Sequence, residues 1–232
     1  FRNYQEQMVE FTAPKTILVG NNAQGKSNLL EAVELLATLR SHRTSRDKDL
    51  VKDEESFATV SGSLKREFGV SELILTLRRN GRRTVNLNSE NLRRQMDFLG
   101  VLNAVEFSSL DLDLVRGGPE NRRRWLDTLL VQLEPVYAHI LQQYQKVLRQ
   151  RNAFLKSNSE SLQEKSVLSQ LALWDTQLVV TGTRVIRRRE RAIQRLAPIA
   201  KLWHSNISAS TEHLQINYAP NIPLSETQQG EV

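Results

Sequence analysis

The octapeptide Gly20-Asn21-Asn22-Ala23-Gln24-Gly25-Lys26-Ser27 constrains this chain more than any other stretch of it. It fits G-x-x-x-x-G-K-[ST], a pattern that functions only where a strand enters a tight loop and the loop opens a helix. The flanks meet that requirement. Thr16-Ile17-Leu18-Val19 is an apolar, β-branched run that reads as a buried strand. Asn28 to Ala37 is rich in helix formers, with apolar residues at 29, 32, 33 and 36. The stretch predicts an α/β fold organised around a phosphate-binding loop.

The chemistry follows from the residue types. A nucleoside triphosphate carries several negative charges that must be held by something other than bulk water. Successive backbone N–H groups in a tight loop form an anion nest, and a helix N-terminus adds unsatisfied donors and partial positive charge. Gly20 and Gly25 let the backbone approach phosphate without a Cβ in the way. Lys26 is expected against the β- and γ-phosphates, and the Ser27 hydroxyl is expected to ligate Mg²⁺, an ion that prefers oxygen ligands. Asn21, Asn22, Ala23, Gln24 and Asn28 complete the cradle. The plain alternative, a glycine turn before an ordinary helix, does not account for the full match with both flanks. The loop alone does not choose among kinase, GTPase, transporter ATPase and DNA-repair ATPase. The absence of an Asn-Lys-x-Asp base-reading signature counts against a GTPase.

Charge narrows the field. The 232 residues carry 32 Lys+Arg against 26 Asp+Glu, and residues 119–201 alone hold 15 against 7. Positive charge gathered in one region fits a polyanion surface, although solvated helix faces produce the same count. No apolar run is long enough to cross a bilayer. There is no cysteine, which removes disulfides, thiolate metal sites and a catalytic thiol, and fits a reducing cytoplasm. No secretory signal is visible, and a first residue of Phe1 rather than Met leads us to expect that the natural start is missing.

Periodicity gives the organisation. A helix is expected over 26–40 and a polar loop over 41–52. Strands are expected over 57–63, 72–79 and 84–88, the last two joined by an Asn80-Gly81 two-residue hairpin. A short helix over 91–98 and a buried strand over 102–107 follow. Gly117-Gly118-Pro119 marks a break, with Pro119 suited to a first helical position. Helices are expected over 120–133, from Pro135, and from Lys165 towards Leu202, with a weak point at Gly182 and a break near Pro198. The last two form an antiparallel arm. A strand over 212–218 and a polar tail from 219 end the chain. The fold class is therefore α/β: a P-loop nucleotide lobe with an antiparallel meander over 1–118, a basic helical lobe over 119–203, and a returning strand and tail over 204–232.

Six motifs in one order resemble a known family. They are Phe1-Arg2-Asn3-Tyr4, the P-loop with Asn28, and Arg40-Ser41-His42-Arg43-Thr44-Ser45-Arg46-Asp47. After them come Gly117-Gly118-Pro119 with Arg122-Arg123 and Leu126-Asp127, Gln150-Arg151-Asn152, and Trp174-Asp175 with Gln177-Leu178. Together they look like the bacterial RecF family of DNA replication and repair proteins, which is similar to the structural-maintenance-of-chromosomes and Rad50 ATPase heads.

The resemblance implies an ABC-type ATPase that dimerises on ATP and hydrolyses it slowly. It implies binding to DNA, single- and double-stranded and at gaps, with RecO and RecR as partners and assistance to RecA loading. Recombination and the SOS response belong to the same picture. The family loop usually has Gly where this chain has Ala23, a position an alanine tolerates if φ stays negative. Neither a Ser-x-Gly-Gln signature nor an acidic Walker B strand is found, so no catalytic residue is assigned. The chain reads as the amino-terminal part of a longer protein. A P-loop kinase acting on a small metabolite, and an interaction module with a vestigial P-loop, are the competing classes.

Outside the loop, Arg2 and Asn3 are expected near the adenine and α-phosphate, or else form a turn between strands. Arg43 and Arg46 lie where they could reach phosphate or DNA, or could be solvated. Of Arg122, Arg123 and Arg124 at least one is expected in an internal ion pair, with Asp127 as a mate. Arg184, Arg187, Arg188 and Arg191 share a helix face by spacing and are the candidate DNA-backbone contacts, against the alternative of a solvated face. Trp125, Tyr137, Tyr144 and Trp174 read as packing residues. His42, His139, His204 and His213 are too scattered in sequence to indicate a metal site.

Overall fold

Helix α1 (Lys26–Thr38) starts on the last residues of the glycine loop. Gly25 is its N-cap in the left-handed region, φ 101°, so the loop turns into the helix through a conformation that costs an L-residue dearly. The computed structural model describes residues 1–67 and 69–222 and divides into two compact units, 1–135 and 136–232.

The first unit is built on a four-stranded antiparallel sheet in the order β1 (Phe57–Arg66), β2 (Gly69–Arg78), β3 (Thr84–Leu87), β4 (Glu90–Asn91). Alternation makes it. Leu73, Leu75 and Leu77 of β2 point to one face and are buried, beside Ala58 and Val60 of β1 and Val85 of β3. Leu35 and Leu36 of α1, Leu50, Val51 and Phe98 close over that face in one core cluster. The apolar side of α1 is thus held against the sheet, which fixes the direction in which the loop before it opens. Helices α2 (Asp113–Arg116) and α3 (Pro119–Leu133) complete the unit, and Pro119 occupies the first turn of α3 as expected.

The second unit consists of α4 (Pro135–Ser157), apart from its first residue, and α5 (Lys165–Ile207). Arg151 pairs with Asp175 at 2.5 Å, and the Tyr144 ring packs beside Gly182, where an added Cβ would sit 3.5 Å from it. Seven residues back along α4 match seven forward along α5, the register of an antiparallel helical arm.

Several expected elements differ. Thr16–Val19 and Leu102–Phe107 form no strand, and Ile17, Val19, Val105 and Phe107 are 86, 89, 91 and 89% exposed. A strand exists only by pairing, and none of the four described strands lies beside these runs. The segment 212–218 also forms no strand among the described residues. The Asn80-Gly81 hairpin is wider than two residues, since Thr76 pairs with Thr84 as the last rung. Arg78 donates to the Arg82 carbonyl and the Thr84 hydroxyl and closes that larger loop. Residues 91–98 contain the end of β4 and a single 3₁₀ turn, Gln95–Phe98, instead of a helix. Helix α5 runs through both Gly182 and Pro198. Pro198 removes one backbone N–H from the ladder, but helical hydrogen bonding continues on both sides of it. The tail beyond Ile222 lies outside the described residues.

Candidate nucleotide site

The loop turns into α1 as its residues predict, although no strand leads into it. Gly20, Ala23 and Gly25 all have positive φ, 154°, 64° and 101°. Ala23 therefore sits in the left-handed region, so the condition for tolerating alanine there is not met and the residue carries the steric cost that glycine avoids. Gly25 has a second reason to lack a side chain: a Cβ would lie 2.7 Å from the Tyr4 ring and 2.9 Å from Asn3 Oδ1. The Tyr4 hydroxyl donates to the Gly25 carbonyl at 3.0 Å, so Tyr4 braces the loop from the N-terminal segment.

Among the described residues nothing accepts from the backbone N–H groups of Gln24, Gly25, Lys26 and Ser27. Lys26 Nζ donates to the carbonyls of Gly20 and Asn21, both at 2.7 Å, and so spans the mouth of the loop. Unclaimed donors at a helix N-terminus beside an ammonium fit a polyphosphate. Asn21, Asn22, Gln24 and Ser27 are exposed around them. In that setting the loop N–H groups and Lys26 would hold phosphate oxygens, and Ser27 would offer a hydroxyl to a phosphate-bound Mg²⁺.

Next to the loop a polar network extends the site. Asn28, in the first turn of α1, accepts from Arg43 Nη1 at 2.6 Å and donates to Asn3 Oδ1 at 2.8 Å. One turn further, Glu31 is fully buried. Its carboxylate accepts from Arg2 Nε at 2.8 Å, Arg2 Nη2 at 2.5 Å, Ser41 Oγ at 2.5 Å and Arg43 Nη1 at 3.2 Å. Burial by itself would push the Glu31 carboxyl up. The hydrogen bonds from Arg2 and Ser41 and the charges of Arg2 and Arg43 outweigh it and hold the group below its ordinary range.

Arg2 has a left-handed φ of 52° and also donates to the Asp49 carbonyl at 3.0 Å. An open cleft of about 470 Å³ lies here, with Arg2, Arg43, Lys48, Lys52 and Arg79 against Asp49 and Asp53, and with Asn3 and Asn28 in its wall. The structure thus brings Arg2, Asn3, Asn28 and Arg43 together. It turns Arg46 away onto Asp49 at 2.9 Å.

Sequence reasoning missed Glu31 and Ser41. The available signal was a lone carboxylate one turn before Leu35, on the buried side of an amphipathic helix, where a charge requires partners.

The other candidates lie apart from this network. Arg124 pairs with Glu120 at 3.1 Å, and Arg122 donates to the carbonyls of Leu114 and Gly117. In the second unit Arg184 and Arg191 are exposed, while Arg187 and Arg188 are half-buried and Arg188 Nη1 donates to the Arg184 carbonyl at 3.4 Å. Tyr137 is fully buried, and Trp125 is 39% exposed.

A glycine loop opening a helix over an antiparallel meander, followed in the chain by a long helical arm, defines a P-loop ATPase lobe of the ABC type. The chain belongs to the AAA domain family, whose model matches residues 1–206. It is 73% identical over its full length to the DNA replication and repair protein RecF of Nostoc punctiforme and 64% identical over 96% of its length to that of Acaryochloris marina. It spans 62% and 59% of those two proteins. A solved structure described as the recombination mediator protein RecF with ATP, in the RecFOR pathway, covers 90% of the chain. Its TM-score is 0.83 at 32% identity, and the match takes in 56% of that protein. The likeness to RecF carried by the six motifs therefore holds over the whole chain.

Proposed function

We propose that this chain is the nucleotide-holding part of an ATP-switched DNA-binding protein of replication and recombinational repair, acting in the cytoplasm. The observation that carries this is the loop itself, with four unclaimed backbone donors and Lys26 across its mouth. The loop and Lys26 bind the ATP phosphates, Ser27 ligates Mg²⁺, and the cleft walled by Arg2, Asn3 and Asn28 receives the rest of the nucleotide. Two nucleotide-loaded subunits of the full-length protein associate, and slow hydrolysis resets them. The exposed arginines of α5 meet DNA backbone at gaps, where RecO and RecR join and RecA is loaded. The RecF names of the relatives and the ATP-bound, RecFOR-pathway description of the solved neighbour support this reading.

The test is Lys26→Ala in the full-length protein. ATP binding is expected to fall below detection, and ATP-dependent self-association, followed by light scattering, is expected to vanish with it. Self-association that still responds to ATP in this variant would sink the switch. Phosphotransfer to a small acceptor in the absence of DNA would favour the metabolite-kinase class instead.

A further inference from the structure

Three residues that the nucleotide does not use converge behind the loop. Glu34 stands on α1 about 10 Å along the axis from Ser27 at 1.5 Å per residue. His42 follows the end of α1, and Glu106 comes from the segment before the 3₁₀ turn Ser109–Leu112. One ligand atom from each lies within 4.8 Å of the other two. His42 Nδ1 is 2.7 Å from Glu34 Oε2 and 3.2 Å from Glu106 Oε2. The His42 backbone N–H also donates to Glu34 Oε2, at 3.1 Å, which fixes the loop relative to the helix before any ligand is considered. The side chains of Glu34, His42 and Glu106 retain 16, 24 and 28% of their exposure, so the site is open to an ion from solvent while its three donors are held together.

Two carboxylates directed at one imidazole nitrogen offer a divalent cation three converging donors. A single N–H serves two acceptors poorly, and the carboxylates repel each other. The Glu106 carboxyl is accordingly pushed above its ordinary range, by burial first and the Glu34 charge next, against the pull of His42.

The donor set selects the ion. One imidazole nitrogen and two carboxylate oxygens suit Zn²⁺ and its first-row neighbours, whereas Mg²⁺ and Ca²⁺ prefer oxygen alone. Tetrahedral Zn²⁺ with bonds of about 2.0–2.2 Å sets ligand atoms about 3.3–3.6 Å apart. The 3.2 Å edge comes close to this, and the 2.7 Å edge has to open by roughly 0.6–0.9 Å.

We propose that Glu34, His42 and Glu106 form a three-ligand site for a divalent transition-metal ion of the Zn²⁺ class, which staples the loop after α1 to the helix. The ion takes the place of a proton at Nδ1, and the neutral ring keeps its proton on Nε2. The residue after His42 is Arg43, which reaches Asn28 and Glu31, so the staple also fixes one wall of the basic cleft. The site is independent of the nucleotide reading, since it shares no residue with the phosphate loop.

The experiment is titration of metal-free protein with Co²⁺ and then Zn²⁺, without nucleotide. One Co²⁺ per chain with the intense visible absorption of a low-coordinate site is expected, and Zn²⁺ should displace it. His42→Gln and Glu106→Gln should each weaken binding by more than about 100-fold, beyond the roughly 10–100-fold that loss of an outer-shell partner costs. Zn²⁺ should raise the melting temperature of the parent protein but not of His42→Gln. Lys26→Ala should bind metal normally, which separates this site from the phosphate loop. No binding, or one-to-one binding that survives in both ligand variants, overturns the proposal.

Discussion

Arg2 clasps Glu31 with two nitrogens, Nε at 2.8 Å and Nη2 at 2.5 Å, across 29 residues of sequence. The pair ties the N-terminal segment to the second turn of α1, and Ser41 and Arg43 join it from the loop beyond the helix. The N-terminal segment and the loop after α1 are thereby anchored to the helix through one buried carboxylate.

Removing that anchor strands two guanidinium groups. Glu31→Ala is expected to destabilise the first unit by about 3 kcal/mol or more, as loss of one partner of a buried pair does. Urea denaturation followed by far-UV circular dichroism measures it. A loss below about 1 kcal/mol would show that Arg2 and Arg43 find water at no cost, contrary to the burial of the site.

Acid should do the same reversibly. The folded-state pKa of Glu31 is depressed, so its contribution is complete above its ordinary value of 4.5 and is lost as pH falls through the lower folded value. Stability should therefore decline on acidification below about 4.5, and in Glu31→Gln this part of the decline should be absent. Melting temperatures of both proteins across that range provide the comparison.

Ala23 in the left-handed region offers a gain. Ala23→Gly relieves a strain of about 1 kcal/mol in the folded loop, partly offset by the greater freedom of glycine in the unfolded chain. The free energy of unfolding should rise by at most about 1 kcal/mol, read by urea denaturation. A clear loss of stability would mean that the Ala23 methyl contributes packing to the loop.

Gly25 should not tolerate the same methyl. In Gly25→Ala the new Cβ meets the Tyr4 ring at 2.7 Å and φ remains 101°. ATP binding should be lost, and adding Tyr4→Ala should fail to restore it, since the backbone conformation is still forbidden to alanine. Full rescue by the double variant would assign the whole effect to the ring.

Phosphate contacts by α5 have a salt signature. If exposed Arg184 and Arg191 each meet one phosphate of duplex DNA, Arg184→Ala with Arg191→Ala should lower the slope of log affinity against log salt by about two. Fluorescence anisotropy over a salt series reads the slope. An unchanged slope would return both arginines to the status of a solvated face.

Particular elements show how far a sequence can be read. The start of α1 was legible because Gly25 and Lys26 serve a local need, a turn and a helix N-terminus. The meander was legible because Leu73, Leu75 and Leu77 alternate within one strand. The arm was legible because apolar residues repeat along each helix at three- and four-residue spacings. Thr16–Val19 and Leu102–Phe107 were misread as strands because apolar β-branched composition states a preference, while a strand needs a neighbour to bond with. The break expected at Pro198 did not occur, since the helix around it keeps enough hydrogen bonds and packing to span one missing donor.

By itself, the sequence determined the phosphate loop, its helix, the antiparallel meander and the two-helix arm, since each is marked by a local pattern: a loop motif, a two-residue alternation or a three- and four-residue helical repeat. Tertiary structure alone decided that Glu31 is a buried hub for Arg2, Ser41 and Arg43, that Tyr4 braces Gly25, and that His42 meets Glu34 and Glu106. Those groups are up to 72 residues apart, from Glu34 to Glu106, and no local spacing encodes a meeting that depends on how α1 packs onto the sheet.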